Sequence, residues 1–204
     1  MIRILGMLMI SVFSCISLMA QNPKVEILRE AYAQKDWKAF VDNFPQTFVE
    51  FVDLYGCDLD KGPKPLYEGN KTHIFFIFSD DRIREKQYLE WLLKLTEGYM
   101  WEADAVNWLG YNIGLMIDSY PELISDFMKD KPDDLVKDFF KSAIANPHPV
   151  PDNTGYYTSL LEKIKLYEEL SPRIVLLMMV AHSGWQSRQS PQHYLLVTGQ
   201  NRTF

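Results

Sequence analysis

Apolar residues recur at helical spacing through almost the whole chain after Gln21, and this periodicity limits the fold more than any other feature. Val25, Leu28 and Tyr32, for example, follow one another three and four positions apart, with charged residues between them. Such spacing gathers the apolar side chains on one side of a helix, which must then be buried against a neighbour. We therefore predict an all-α fold, either a multi-helix bundle or a stacked αα-hairpin array of the helical-repeat kind.

Capping residues and prolines divide this pattern into successive helices. Asn22-Pro23 is typical of an N-cap followed by proline at the first helical position, and later prolines mark further starts. After a first helix from Pro23, the predicted helices span Asp36 to Asn43, Pro45 to Tyr55, Arg82 to Thr96, Ala103 to Asp118, Pro121 to Lys129, Pro132 to Ala145, Tyr156 to Leu170 and Pro172 to Ala181. Glycines and prolines predict a loop over 56–69 and a stiff linker over 146–151.

The apolar run from His73 to Phe78 is the one stretch where a strand competes with a helix. A lone strand would have no obvious partner elsewhere in the chain, and unpaired buried backbone groups are costly. We therefore predict a helix over 73–78.

The helix predicted over 103–118 is apolar on two opposite sides. One stripe contains Val106, Leu109, Ile113, Met116 and Ile117, and the other contains Trp108, Tyr111 and Leu115. Such a helix is typical of the middle of a bundle, with a neighbour on each side. Gly110 and Gly114, one turn apart, then predict a groove for a neighbour's backbone.

Two helix junctions share a pattern. Val41 to Pro45 matches Ile117 to Pro121, each ending one helix on an aromatic residue and restarting the next at proline. The pair is consistent with a stacked hairpin array, but corners between helices in general drift toward this pattern, and without a third copy this simpler explanation is preferred.

The N-terminal segment has the layout of a secretory signal peptide over residues 1–20. Arg3 is followed by a mainly apolar run to Phe13, and Ala20 is a small residue at the expected cut. Cleavage after Ala20 would remove Cys15 and leave Cys57 as the only cysteine, a small buried residue that can form no internal disulfide. A lipid anchor on Cys15 is the less favoured alternative, because the bulky Phe13 fits a lipobox poorly. We expect export to the periplasm or beyond, with no membrane span after cleavage.

The charge balance limits the possible partners. The chain has 21 basic and 27 acidic residues and a net charge of −6, spread along its length. Phosphate backbones require a concentrated basic surface, so nucleic acid is not an expected partner. We predict one helical domain over 21–183 and a loosely packed or disordered tail over 184–204, where acidic residues disappear.

Signatures of catalysis, metal binding and cofactor binding are missing from the sequence. The four histidines form no ligand pair at helical spacing, so no metal site is expected. Asp58 and Asp60 could open a calcium loop, but Pro63 and Gly69 occupy positions that need glycine and a carboxylate. The sequence also lacks a nucleophile elbow and a phosphate-binding glycine loop, and we predict no catalytic residue and no cofactor.

One polar cluster remains as a candidate ligand site, between two long predicted helices. Aromatic residues beside carboxylates suit a sugar or a cationic ligand. The candidates are Glu97, Tyr99, Trp101, Glu102 and Asp104, with His73 as a further member. The simpler interpretation is structural: Asp104 complements a helix N-terminus, Trp101 fills the core, and His73 is a hydrogen-bonded histidine at the edge of the core.

Several aromatic corners resemble those of a known group of proteins. They are Phe44-Pro45, Phe48, Phe51, Leu54-Tyr55-Gly56, Pro65-Leu66-Tyr67, His73-Ile74-Phe75-Phe76 and Trp101-Glu102-Ala103-Asp104-Ala105. Over residues 25–180 the chain resembles a loose group of exported, mostly helical proteins of unknown function from Gram-negative gut bacteria. The resemblance implies a helical fold and export, and it supplies no active site.

Two hypotheses about function follow. The first is a non-enzymatic exported module that binds a protein partner, in the manner of an immunity, inhibitor or adaptor protein. The second is a hydrolase or carbohydrate-binding protein that uses the candidate residues at 97–104 and His73.

The mature N-terminus distinguishes cleavage after Ala20 from lipid attachment at Cys15. We expect mass spectrometry of the exported protein to find a free or cyclised Gln21, and a Cys15→Ser variant to give the same mature mass. A diacylglyceryl-modified N-terminus that disappears in the Cys15→Ser variant would contradict this expectation.

Overall fold

Helices make up almost all the regular structure in the computed structural model, which describes residues 22–58, 60–100, 104–144 and 162–188. The first five are α1 (Pro23–Gln34), α2 (Trp37–Asn43), α3 (Phe48–Tyr55), α4 (Asn70–Phe78) and α5 (Lys86–Leu95). The others are α6 (Asp104–Ser119), α7 (Pro121–Met128), α8 (Asp133–Ile144), α9 (162–168) and α10 (Pro172–Arg188). The prediction of an all-α multi-helix fold is confirmed. A two-stranded antiparallel sheet, β1 (Cys57–Asp58) with β2 (Gly62–Pro63), lies between α3 and α4.

Capping side chains begin the first two helices where the sequence predicts. The Asn22 side chain accepts a hydrogen bond from the Lys24 amide, and the Asp36 carboxylate accepts one from the Ala39 amide at 2.9 Å. These bonds satisfy amides that have no partner within the helix. The run over 73–78 also forms a helix as predicted, because it lies entirely within α4.

Helix α3 begins three residues later than predicted, at Phe48 instead of Pro45. The Thr47 hydroxyl accepts a bond from the Glu50 amide, and the Glu50 carboxylate reaches back to the Gln46 amide at 2.8 Å. This reciprocal arrangement resembles a capping box and determines the start of the helix. Because Pro45 stays outside α3 whereas Pro121 begins α7, the two similar junctions of the sequence are not equivalent.

The helix predicted over Arg82 to Thr96 is interrupted near its start. A 3₁₀ helix covers Asp81–Arg84, and α5 begins only at Lys86. The Asp80 carboxylate accepts bonds from both the amide and the guanidinium of Arg82, which lowers the Asp80 pKa to about 2 and closes a tight turn. At the other end of the chain, α10 continues to Arg188 and not only to the predicted Ala181.

Helix α6 lies in the middle of the packed helices. It packs against α4 on one side and α8 on another, and α8 in turn packs against α10. A Cβ atom placed on Gly114 would lie 3.8 Å from the Cβ of Ala143, an ordinary van der Waals distance, so α8 lies beside α6 here but the contact does not require glycine. All five residues of the first predicted stripe of α6, from Val106 to Ile117, are buried.

The second stripe of α6 is only partly buried, which corrects the prediction of a neighbour on each side. Tyr111 and Leu115 are 42% and 46% exposed, and Trp108 is only partly covered. Trp108 packs against the core beside Phe75 of α4, whereas Tyr111 and Leu115 stay largely at the surface.

An ion pair between a buried lysine and an exposed aspartate joins α9 to α6. The Lys163 ammonium lies 2.6 Å from both carboxylate oxygens of Asp118, and the Lys163 side chain is 5% exposed whereas that of Asp118 is 46% exposed. One turn further along α9, the buried Tyr167 hydroxyl donates to the Ile117 carbonyl. The side chains of α9 therefore hold the C-terminal end of α6.

Three segments with sequence predictions lie wholly or mostly outside the residues that the structure describes. The signal peptide over 1–20, the linker over 146–151 and most of the tail over 184–204 lie outside the described residues, although 184–188 continue α10. In the described part of the chain, none of the helices has the length and apolar character needed to cross a bilayer. Cys57 is only partly buried, where the sequence predicts a buried residue.

We expect Asp118→Ala to lower the free energy of unfolding by about 2 kcal/mol, because it leaves the buried Lys163 ammonium without its carboxylate. The loss is smaller than for a fully buried pair, since water reaches the half-exposed Asp118 side. Equilibrium urea denaturation measures it.

Lys163→Met supplies the matched control, because it removes the charge and keeps most of the packing of the stem. We expect it to cost less than Asp118→Ala, and the double variant to be no less stable than Lys163→Met alone. Additive losses in the double variant would contradict a direct pair interaction.

Candidate functional site

The candidate residues near position 100 have different surroundings. Glu97 lies exposed in the turn after α5, whereas the Tyr99 ring is fully buried and packs on Phe48 with ring centroids 5.4 Å apart. The Lys141 ammonium donates a hydrogen bond to the Tyr99 carbonyl. Trp101 and Glu102 lie outside the described residues. Tyr99 is thus part of the core that supports this turn.

Asp104 is exposed at the first position of α6. Its carboxylate accepts a hydrogen bond of 2.8 Å from the Tyr67 hydroxyl, and this bond raises the pKa of Tyr67. Tyr67 belongs to the short 3₁₀ helix before α4, so the pair joins the start of α6 to the α3–α4 connection. A carboxylate at a helix N-terminus is also favoured by the helix dipole.

His73 lies in a cage of aromatic rings. Its ring centroid is 4.6 Å from that of Tyr32 and 5.2 Å from that of Phe40, and its Nδ1 is 3.0 Å from the Tyr55 hydroxyl oxygen. A Cβ atom on Gly69 would lie only 3.1 Å from the imidazole, so glycine there leaves room for the ring. His73 therefore contacts residues of α1, α2 and α3 and belongs to the core.

Burial keeps this histidine neutral. Loss of solvent and, to a smaller extent, the nearby cations Arg29 and Lys35 lower the His73 pKa to about 4. Burial also raises the pKa of Tyr55 well above its usual range. Both groups are therefore uncharged near neutral pH, where the Tyr55 hydroxyl can donate to an unprotonated Nδ1.

In the loop considered as a calcium site, the Asp58 carboxylate forms hydrogen bonds within the loop itself. Asp58 accepts hydrogen bonds from the amides of Asp60 and Lys61, which closes the turn between β1 and β2 and lowers the Asp58 pKa. Within the described ranges, no group of three or more histidine, cysteine or carboxylate side chains is arranged to hold a metal ion.

The surface that sequence reasoning missed lies on α4 and α6, and we call it the aromatic face. It consists of Phe75, Trp108, Tyr111 and Leu115. Phe75 of α4 lies 5.7 Å from Trp108 and 6.3 Å from Tyr111, measured between ring centroids. The three α6 residues had been identified as an apolar stripe, but only the tertiary packing shows that the stripe is left open.

A charge and a small cleft border the aromatic face. The Lys71 ammonium lies 4.4 Å from the centroid of the Trp108 ring, a cation–π contact at one end. At the other end, Leu115 lines a cleft of about 210 Å³ together with Phe78, Arg84 and Tyr120. The Arg84 guanidinium lies 4.4 Å from the centroid of the Tyr120 ring. The aromatic face therefore adjoins a concave site of mixed character, in which Asp80 and Asp81 lie beside the apolar side chains.

Comparison of the whole chain with protein-family models, with curated proteins and with solved structures gives no match. The predicted resemblance to exported gut bacterial proteins therefore stays a prediction. The geometry of the described residues is the basis for the functional conclusion.

The burial of His73 predicts a pH dependence of stability. Its pKa is about 4 in the folded protein and near 6.5 in the unfolded chain, so the unfolded chain binds a proton first as the pH falls. The free energy of unfolding should therefore fall between about pH 6.5 and pH 4, by roughly 2–3 kcal/mol at about 1.4 kcal/mol per pKa unit. Urea denaturation at several pH values measures this loss.

His73→Gln should flatten this dependence, because the amide does not titrate in that range. His182→Gln is the matched control, since the weaker burial of His182 lowers its pKa less. An unchanged pH slope in His73→Gln would show that the loss comes from other groups.

Proposed function

We propose that this chain is an exported, non-enzymatic interaction protein whose protein partner binds the aromatic face. The observation that carries the proposal is the location of the exposed rings. Among the aromatic side chains that the structure describes, only Phe75, Tyr111 and Tyr120 are exposed, and all three lie on the aromatic face or in the cleft that adjoins it. Exposed apolar patches of this kind mark interaction sites, and tyrosine and tryptophan are enriched among binding hot spots.

The geometry of the face suits a protein better than a sugar. A sugar stacks on an accessible ring face. Here the Trp108 and Tyr111 planes differ by 85°, those of Phe75 and Trp108 differ by 62°, and Lys71 lies over the Trp108 ring. The branched aliphatic side chain of Leu115 completes an irregular apolar surface. Such a surface complements the side chains of another protein.

The surroundings of His73 and Asp104 give the enzyme hypothesis little support. His73 is enclosed by rings and uncharged near neutral pH, whereas Asp104 is exposed and bonded to Tyr67. A general acid–base pair needs both groups within reach of one reacting atom. The sequence features of the N-terminus support export, and a role as an immunity, inhibitor or adaptor protein fits that address.

The proposal predicts that charges on the aromatic face abolish partner capture. We expect Tyr111→Asp with Leu115→Asp to reduce recovery of the partner at least tenfold, because each change places a carboxylate where apolar contact is needed. The measurement is affinity capture from the envelope and secreted fractions of the native host, quantified by mass spectrometry.

Leu176→Asp with Met179→Asp is the matched control, because both residues are exposed apolar positions on α10. Wild type and control should recover the same protein in equal amounts. Equal recovery by all three proteins, or recovery of no specific protein by the wild type, would contradict the proposal. Glycan binding that the Tyr111 variant loses would favour the carbohydrate hypothesis instead.

A further inference from the structure

One polar side chain lies beneath the aromatic face. Asn112 follows Trp108 by one helical turn and precedes Leu115 by three residues, so all three lie on the same side of α6. Leu115 is 46% exposed, whereas Asn112 is only 5% exposed. An amide group is therefore buried among the apolar side chains proposed for binding.

The protein satisfies only one half of this amide. The Asn112 Nδ2 donates a hydrogen bond of 2.8 Å to the Trp108 carbonyl. Across the described ranges, no group donates a hydrogen bond to the Asn112 Oδ1, yet this oxygen is not sealed from solvent. Because Asn112 lines the cleft of about 210 Å³ beside the aromatic face, the oxygen opens into that cleft.

This oxygen limits what can fill the cleft. A partner that covers the aromatic face displaces water from the cleft, and the Asn112 Oδ1 then loses its solvent donors. Burial of an acceptor without a donor weakens binding by about tenfold. The cleft therefore favours a side chain that donates a hydrogen bond and rejects a purely apolar one.

The charged groups of the cleft already have partners. Asp80 pairs with Arg82 at 2.8 Å, and Asp81 pairs with Arg84 at 2.6 Å. A cationic or an anionic side chain would thus find no unpaired counter-charge in the lining that the structure describes. The donor that fits best is uncharged.

The other lining groups favour a primary amide among the uncharged donors. The hydroxyls of Ser119 and Tyr120 line the same cleft, and neither forms a hydrogen bond with another residue in the described part of the chain. Ile83 and Met116 provide apolar walls for methylene groups. A primary amide on a short apolar stem both donates and accepts, so it can use all of these groups. The volume is below that of most pockets for free ligands, and it suits one side chain.

We infer that the partner inserts a glutamine side chain, flanked by apolar residues, into this cleft. The inference rests on the proposed function, because it identifies the residue by which the partner of the aromatic face is selected. The glutamine amide donates to the Asn112 Oδ1, and its carbonyl accepts from the Ser119 or Tyr120 hydroxyl. The flanking apolar residues cover Tyr111 and Leu115. Asn112 is thus a specificity-determining residue of the face.

Short peptides test this inference on the protein beginning at Gln21. The probes are four tripeptides blocked by acetyl and methylamide groups, each with leucine on both sides of glutamine, glutamate, lysine or methionine. Heteronuclear NMR titrations that follow the Asn112 side-chain amide measure their dissociation constants. We expect the glutamine peptide to bind about fivefold more tightly than each of the others, the effect of one neutral hydrogen bond.

The four probes separate the possible kinds of recognition. Methionine matches the length and shape of glutamine but cannot donate, whereas glutamate matches it but carries a charge. Long-range attraction to a chain of net charge −6 favours the lysine peptide, so it cannot produce a preference for glutamine. Equal or tighter binding of any other peptide, or no saturable binding of the glutamine peptide, would overturn the inference.

An Asn112→Leu variant locates the preference. Leucine keeps nearly the same volume without the acceptor, so we expect the glutamine and methionine peptides to bind it equally. Asn43→Leu is the matched control, because Asn43 donates an equivalent bond of 2.8 Å to the Ala39 carbonyl, four residues earlier, outside the cleft. Retention of the preference in Asn112→Leu, or its loss in Asn43→Leu, would contradict a site at Asn112. If Asn112→Leu does not fold, the comparison of the four peptides on the wild type decides the question.

Failure of this inference is distinguishable from failure of the proposed function. If the peptides show no preference for glutamine while partner capture still depends on Tyr111 and Leu115, the inference fails and the proposed function stands. If the glutamine preference requires Asn112 while the aromatic-face variant captures the partner as the wild type does, the cleft is supported as an amide site and the proposed function fails.

Discussion

Packing between aromatic rings is the interaction on which the rest of this structure depends. Helices α2, α3 and α4 contain 7, 8 and 9 residues, which is too short for a helix to be stable alone in water. Their buried rings bring them together: Phe44 packs on Phe51 and on Tyr55, with centroids 5.9 Å and 5.2 Å apart. Hydrogen bonds from Trp37 and Trp91 to backbone carbonyls fix the orientation of these elements. The core, not the individual helix, is the stable unit.

The same packing creates the surface proposed for binding. Helix α6 is apolar on more sides than α4 and α8 can cover, so burial of Val106 to Ile117 leaves Tyr111 and Leu115 exposed and Trp108 only partly covered. Folding alone gains little from large apolar side chains in that position, because they stay in contact with water. The partner that we propose for this face would supply the missing burial.

Much of the fold was predictable because its signals are local. Asn22 and Asp36 cap helices with their own side chains, and these signals need no tertiary contact. The predicted helix starts are wrong where two local signals compete. Helix α3 starts after the Thr47–Glu50 capping arrangement and not at Pro45. Helix α5 starts later than its apolar pattern predicts, because the Asp80–Arg82 hydrogen bonds form a tight turn first. The candidate site was predicted less well. His73 is held in a core cage and Asp104 binds Tyr67, and neither neighbour can be inferred from sequence spacing.

The sequence by itself determined the helical character of the chain, the capped ends of its first helices and the helix over 73–78, because apolar periodicity and capping act over a few residues. It also determined that α6 carries two apolar stripes. Only the tertiary structure decided which stripe is buried, since this depends on where α4 and α8 lie in space. The juxtaposition of Phe75 with Trp108 joins residues far apart in the chain through packing of the whole core.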